Sequence, residues 1–293
     1  MKILTTEKID IINKKEKEGV VLNRREKICY KGIPNTRKRG IKFAHTTEEL
    51  IEYSKCFNSI DYFIEEQAKV QLENGEIGKI KIRDYQKNAI DLMNDKKFVL
   101  FFRSRQVGIT VSIALYFLHI LLFNNDKKII IISNKGMNGR EFMKKIKTVY
   151  YNLPFFLKQG IIKWTENNIE FENGSRIDII TSDNERSFFD IDIILLNEFS
   201  RIKNQNELYA EIFTQIKKDG KIIIDSGPNG LNFFYKLVTD SERMQGDPDK
   251  NLFNTMRIYW WQVLGRDENW KNEQIKIIGT DSFNQEYGLS FNK

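Results

Sequence analysis

Cysteine, histidine and proline are all scarce in this sequence of 293 residues, which holds two, two and four of them. Cys29 and Cys56 cannot form a framework of bridges. With only His45 and His119 beside them there is no ligand spacing for a structural zinc site. A reducing, intracellular setting is expected. Long apolar runs are missing too: the longest, "VSIALYFLHILLF" at 111–123, has 13 residues and contains His119, short of the roughly 20 that a bilayer span requires. It reads as a buried core helix. The opening "MKILTTEKIDII" turns polar and acidic too early for a signal peptide, so the chain is expected in the cytoplasm and away from membranes. At 41% hydrophobic it is neither disordered nor fibrous, and its length suits one large domain or a domain with a smaller companion.

Charge is plentiful but uneven. Residues 1–45 carry 13 Lys or Arg against 5 Asp or Glu, whereas the whole chain is only +7, which leaves the remaining 248 residues at −1. A basic lead-in of this kind suits contact with nucleic acid or an acidic protein surface, and equally a solvated tail. It is expected to tune a partner contact and not to hold the fold.

From residue 96 short apolar runs alternate with helical stretches. "KKFVLFF" (96–102), "KKIIIIS" (127–133), "SRIDIIT" (175–181), "IDIILLN" (191–197) and "KIIIDS" (221–226) are nearly continuous in apolar residues, as strands buried on both faces are. Between them "GREFMKKIKTVYYNL" (139–153) and "NELYAEIFTQIKK" (206–218) have helical spacing. The pattern predicts a doubly wound α/β sheet, mostly parallel and flanked by helices. Asn173-Gly174 between two alternating runs predicts an antiparallel hairpin. Thr46 followed three residues later by Glu49 predicts a helix start. Residues 241–293 are polar and aromatic with scattered helical spacing and are expected to form a small appended subdomain.

Where the first strand gives way to the core helix stands "FFRSRQVGIT" (101–110). It reads as a phosphate-binding loop that lacks its lysine. In the usual pattern, backbone amides cradle phosphates, a lysine reaches the terminal ones and a hydroxyl holds Mg²⁺. Gly108 and Thr110 are in place here, but Ile109 stands where the lysine would be. A second half of such a site is a strand ending in acid residues. "IDIILLNEFSRI" ends in Asn197-Glu198, with the water-activating Glu present and the metal-holding Asp replaced by an amide.

These segments, with "KIRDYQKNAIDLM" (81–93), "NKGMNGREFMKKIKTVYYNLPFFLKQGIIKW" (134–164), "IEFENGSRI" (169–177), "GPNGLNFFYKL" (227–237) and the late "SFNQEYGLSF", occur in an order that resembles the ATPase domain of tailed-bacteriophage large terminases. The resemblance runs from about residue 43 to the end. It implies an additional-strand phosphate-loop NTPase fold with three parts: a basic lead-in (1–45), an ATPase core with its helical approach (46–240) and a lid subdomain (241–293). By that resemblance Tyr85 and Gln86 read adenine, and the loop Ser104, Arg105, Gln106, Val107, Gly108, Ile109 and Thr110 binds ATP. Thr110 and Asn197 hold Mg²⁺, and Glu198 is the catalytic carboxylate. Asp225, Ser226 and Gly227 fall in the motif that couples hydrolysis to movement. Arg105 matches a loop arginine near the γ-phosphate. Some large terminases carry their essential cation five residues before the glycine, where Arg103 stands, and a guanidinium can grip phosphate through two parallel hydrogen bonds.

Ile109 and Asn197 remove a positive and a negative charge together. The sequence leaves two accounts of this open, a rewired active site and the paired decay of an idle one. The resemblance implies a motor that drives double-stranded DNA into a capsid. It would work as a homo-oligomeric ring with the portal protein and the small terminase subunit, in the cytoplasm of the infected bacterium and transiently at the portal vertex. The alternatives are an idle scaffold with the same fold and a DNA translocase unrelated to packaging. Large terminases normally continue into a metal-dependent nuclease, which this chain is expected to lack and which a separate chain would then supply. No Asp and Glu cluster at two-metal spacing follows residue 243. Incubating the purified chain with plasmid and Mg²⁺ or Mn²⁺ is therefore expected to leave the DNA intact, and reproducible cleavage would overturn this reading.

Overall fold

The computed structural model describes residues 28–182 and 189–291. The predicted helix start at Thr46 is a full capping box. The Glu49 amide donates to Thr46 Oγ1 at 3.2 Å and the Thr46 amide to Glu49 Oε2 at 2.9 Å, launching α1 (Thr47–Asn58). A two-stranded antiparallel ribbon follows, β1 (Lys69–Gln71) with β2 (Ile77–Lys79), and then α2 (Asp84–Asp95). The main elements come next: β3 (Phe98–Arg103), α3 (Ile109–Phe123), β4 (Lys128–Ser133) and α4 (Gly136–Asn152). Three short strands succeed them, β5 (Ile161–Trp164), β6 (Asn168–Phe171) and β7 (Arg176–Thr181). β8 (Ile191–Asn197), α5 (Gln205–Gln215), β9 (Ile216–Ser226) and α6 (Phe233–Ser241) complete the alternation. The chain closes with β10 (Asn254–Ile258), α7 (Glu268–Ile278) and α8 (Thr280–Glu286).

Eight strands form one sheet in the order β10-β3-β9-β8-β4-β7-β6-β5. The pairs β10–β3, β3–β9, β9–β8 and β8–β4 are parallel, and β7–β6 and β6–β5 antiparallel. This is the mostly parallel, helix-flanked sheet that the continuous apolar runs predict. Two boundaries moved. Residues 216–218, read as the end of a helix, begin β9 because Ile216 pairs with Ile191 of β8. β10, inside the segment read as helical, adds to β3 as an edge strand; its "NTMRI" is too short and too polar to show as a buried run.

By contacts the chain divides into two interleaved units. One runs to Ile82 and takes in Ile113–Lys127 and Glu141–Asp178; the other is Arg83–Ser112, Lys128–Arg140 and everything from Ile179 onward. The second holds a core of Leu100, Phe102, Ile132, Leu196, Ile224 and Phe234 among others. In the first, the hairpin turns at Gly174 (φ 79°), where a Cβ would run into Asp126 Oδ1. Only glycine fits there.

The basic lead-in departs from expectation. Residues 1–27 lie outside the described ones, but 28–45 are woven into the first unit. Ile28 and Cys29 are buried against Phe155. The Arg37 guanidinium donates to the carbonyls of Lys158 (2.7 Å) and Ile41 (2.8 Å), and the Ile161 amide donates to the Arg37 carbonyl at 2.8 Å. Residues 28–41 thus contribute packing and hydrogen bonds to the first unit. Isolated basic residues gave no sequence signal of burial, since only their partners more than a hundred positions away reveal it.

Lys158 is also buried here, donating to the carbonyls of Asn35 (2.8 Å) and Tyr151 (3.2 Å) over the Tyr150 ring. Burial pulls its pKa down from 10.5 to about 7. The unfolded chain then binds more protons than the folded one between these values, so the Lys158 contribution is fullest above 10.5 and is lost as pH falls through about 7. Wild type is expected to gain roughly 2–3 kcal/mol over Lys158→Met between pH 6.5 and 9, read from urea unfolding of both; a constant difference would contradict the assignment.

Candidate functional site

β3 ends at Arg103 and α3 begins at Ile109, so Ser104 to Gly108 make the whole connection. Gln106 and Gly108 have φ of 56° and 78°. The turn is braced from two sides. The Tyr85 hydroxyl donates to the Val107 carbonyl at 2.6 Å, Gln86 Nε2 to the Gly108 carbonyl at 3.2 Å, and Gln86 Oε1 accepts from the Arg83 amide at 3.1 Å. Tyr85 and Gln86 are buried. The two residues matched to adenine reading thus fasten the loop.

On the other side the Ser104 amide donates to the Ile258 carbonyl and the Arg105 amide to the Glu286 carbonyl, each at 2.8 Å. The Ser104 hydroxyl donates to the Tyr287 carbonyl. The Arg266 guanidinium donates to the carbonyls of Arg105 (3.1 Å) and Gln106 (3.0 Å). α3 points its first amides and the positive end of its dipole into this turn. Ile109 is buried and part of the core, Thr110 half-buried. A lysine at 109 would have to desolvate its charge in that setting.

The cation of the site is Arg103. Its Nε donates to Asp225 Oδ1 at 2.9 Å and its Nη2 to Glu198. Sheet register explains the meeting. Asn197 pairs with Asp225 across β8–β9, and Phe101 with Asp225 across β3–β9, so these side chains and that of Arg103, two residues after Phe101, share one face. Alternation alone would send Glu198 to the opposite face. Glu198 instead takes a left-handed backbone (φ 55°, ψ 44°), costing roughly 1–2 kcal/mol for a residue with a Cβ, and its carboxylate meets Arg103. The negative charge absent at Asn197, itself buried, is found directly across the ladder at Asp225.

Asp225 is fully buried and Arg103 nearly so. Burial works against the charge on both. It pushes the Asp225 carboxyl up from its usual range, against the pull of Arg103. Burial likewise opposes charge on the guanidinium, but the carboxylates of Asp225 and Glu198 outweigh it and hold Arg103 firmly protonated.

Ser226 ties the end of β9 to the turn after Glu198. Its hydroxyl donates to Ser200 Oγ at 2.8 Å and accepts from the Ser200 amide at 3.0 Å. The Ser200 carbonyl accepts from Asn229, Asn232 and Gln205 at 2.9, 2.8 and 3.1 Å. The turn after Glu198 is thus joined by direct hydrogen bonds to Ser226 and to the segment following Gly227.

A cleft of about 270 Å³ opens at this point, lined by Arg103, Arg105, Arg201, Glu198, Glu286 and the Gly227-Pro228 turn, among others. Arg201 and Glu286 escaped sequence reasoning. Arg201, three residues beyond Glu198, was within reach of a helical-turn argument. Glu286 lies in the quoted "SFNQEYGLSF", but nothing local to it signals an ion pair with Arg105 and Arg201.

A glycine-turned loop between a buried strand and a helix, with a carboxylate at the end of a nearby parallel strand, defines a phosphate-loop NTPase fold. The family described as terminase large subunit, T4likevirus-type, N-terminal matches residues 100–291, and the chain belongs to that family. Solved structures share the fold. The HK97 bacteriophage large terminase is 15% identical with a TM-score of 0.63, covering 81% of this chain and 55% of that one. A mutant ATPase domain from the Thermus phage P74-26 large terminase is 18% identical with a TM-score of 0.58, covering 72% of this chain and 95% of that one. A large terminase from a thermophilic bacteriophage, solved with ATP-gamma-S, is 10% identical with a TM-score of 0.54, covering 72% and 53%. The chain thus spans about half the length of the first and third of these.

Arg103→Met would leave Asp225 buried without its cation, and the expected loss of stability is about 3–5 kcal/mol. Adding Asp225→Asn removes the orphaned charge and is expected to restore most of it. Equal losses in single and double variants, by urea unfolding, would show that the pair is not what holds the strand ends together.

Proposed function

We propose that this chain is the ATPase part of a phage packaging motor, binding ATP with Mg²⁺ at the 103–110 loop and hydrolysing it with Glu198 to drive double-stranded DNA. The observation that carries this is the convergence of Arg103, Glu198 and Arg105 on one cleft at the mouth of the loop. Glu198 is held in its left-handed conformation with the carboxylate lining that cleft, where a general base is needed. Family membership supports the packaging role. A ring of copies at the portal, the small terminase subunit as partner and the host cytoplasm as location follow as proposals from the same membership. Among the described residues no helix is long and apolar enough to cross a membrane.

The donors fit Mg²⁺ only as a weakly charged site. Thr110 and Asn197 would hold it through neutral oxygens, and among the described residues no group of three or more acidic, Cys or His side chains could hold a metal. When bound with the nucleotide, the ion neutralises phosphate charge. The chain's own groups do the rest. The α3 amides and the Arg105 guanidinium take the phosphates, Arg103 holds Glu198 beside them, and Glu198 orients the attacking water and accepts its proton. The bonds from Ser226 to Ser200 transmit the resulting change toward α6. Of residues 241–293, β10 belongs to the main sheet and the segment after it serves as the lid, with Arg266 bonded to the loop carbonyls.

Glu198→Gln is expected to lower phosphate release by at least about a hundredfold, with ATP affinity by calorimetry unchanged or tighter. A wild-type chain that binds no nucleotide, or a variant that hydrolyses as fast as wild type, would sink the proposal and return the site to an idle scaffold.

A further inference from the structure

The cleft carries an anion of its own. Arg103 is committed to Asp225 and Glu198. The two more exposed arginines, Arg105 and Arg201, both hold Glu286, one on each carboxylate oxygen, at 3.2 and 3.1 Å. Two guanidiniums converging on two oxygens of one anion is the arrangement by which arginines bind phosphate. The Glu286 backbone is anchored, because its carbonyl accepts from the Arg105 amide and the next carbonyl from Ser104. Its side chain is a quarter exposed and can swing out without moving α8.

The position of the clamp identifies which phosphate it suits. Arg201 Nε lies 3.6 Å from Glu198 Oε2. A group between these arginines is beside the carboxylate that faces the attacking water, and in a nucleotide that group is the terminal phosphate of a triphosphate. A diphosphate, held by the loop amides, ends short of it.

We propose that Arg105 and Arg201 form the terminal-phosphate subsite and that Glu286 is its built-in competitor, displaced by a triphosphate and returning when a diphosphate is left. The inference rests on the nucleotide reading above and adds two residues to it, Arg201 as a phosphate ligand and Glu286 as an internal anion. With Glu286 in place the three groups sum to one positive charge, and without it to two. The carboxylate therefore sets how much better a triphosphate binds than a diphosphate, and it hands the arginines a partner as the product leaves.

Calorimetry on the whole chain tests this with ADP, ATP-gamma-S and inorganic tripolyphosphate, on wild type, Glu286→Gln and Arg201→Gln, with thermal melts confirming the fold. Glu286→Gln is expected to tighten ATP-gamma-S and tripolyphosphate about tenfold and to leave ADP within about twofold. Arg201→Gln is expected to weaken ATP-gamma-S about tenfold with ADP unchanged, and in that background Glu286→Gln should gain much less. Should Glu286→Gln melt early, Glu286→Asp, which keeps the charge but shortens its reach, is expected to give a smaller tightening in the same direction. Binding of both nucleotides with an unaltered triphosphate-to-diphosphate ratio in these variants would overturn the competitor and leave the nucleotide site standing. Failure of all the proteins to bind either nucleotide would overturn both.

Discussion

The ion pair of Arg103 with Asp225 is the contact on which the rest of the site depends. Three strand ends, those of β3, β8 and β9, present a cation, a strained glutamate and a buried aspartate to one point. Removing either member of such a pair leaves a charge in a setting where it is several kcal/mol worse off than in water. The pair therefore fixes where β3 stops and the loop begins. It also fixes where Glu198 can find a partner, and the left-handed turn at Glu198 is tolerated because Arg103 is waiting at its end.

From that point charges alternate outward. Asp225 faces Arg103, Arg103 faces Glu198, Glu198 lies near Arg201, Arg201 holds Glu286, and Glu286 holds Arg105. The inner members are buried and strongly coupled, whereas the outer pairs are partly exposed and individually weak. This gradient suits a site that must keep its frame while admitting a highly charged ligand. The frame is at the buried end, and the exchange of partners proposed above belongs to the exposed one.

Much of the sheet was legible because buried parallel strands write themselves as continuous apolar runs, as "KIIIIS" and "IDIILLN" do. The loop was legible from Gly108 and Thr110 and the strand-end Glu198. Besides Arg201 and Glu286, three things were not. Asp225 read as part of a coupling motif, and its pairing with Arg103 depends on strand order, which places β9 between β3 and β8. Tyr85 and Gln86 matched a family position, but their hydrogen bonds to loop carbonyls appear only once α2 is docked. Arg37, in a basic stretch read equally as a partner contact or a solvated tail, is half-buried and bonded to Lys158, far along the chain. In each case a property of the tertiary neighbourhood decides, and no local pattern encodes it.

On the function proposed here, the lysine missing at 109 and the aspartate missing at 197 amount to a change of address. The cation stands at 103, the anion at 225, and Ile109 joins the core. The most direct test is a structure of the chain with ATP-gamma-S and Mg²⁺. The account predicts phosphates along the loop amides, the last one between Arg105 and Arg201, Glu286 turned away and Ile109 still buried. Phosphates bound elsewhere, or a cleft unchanged at saturating nucleotide with the Arg105–Glu286–Arg201 contacts intact, would contradict it.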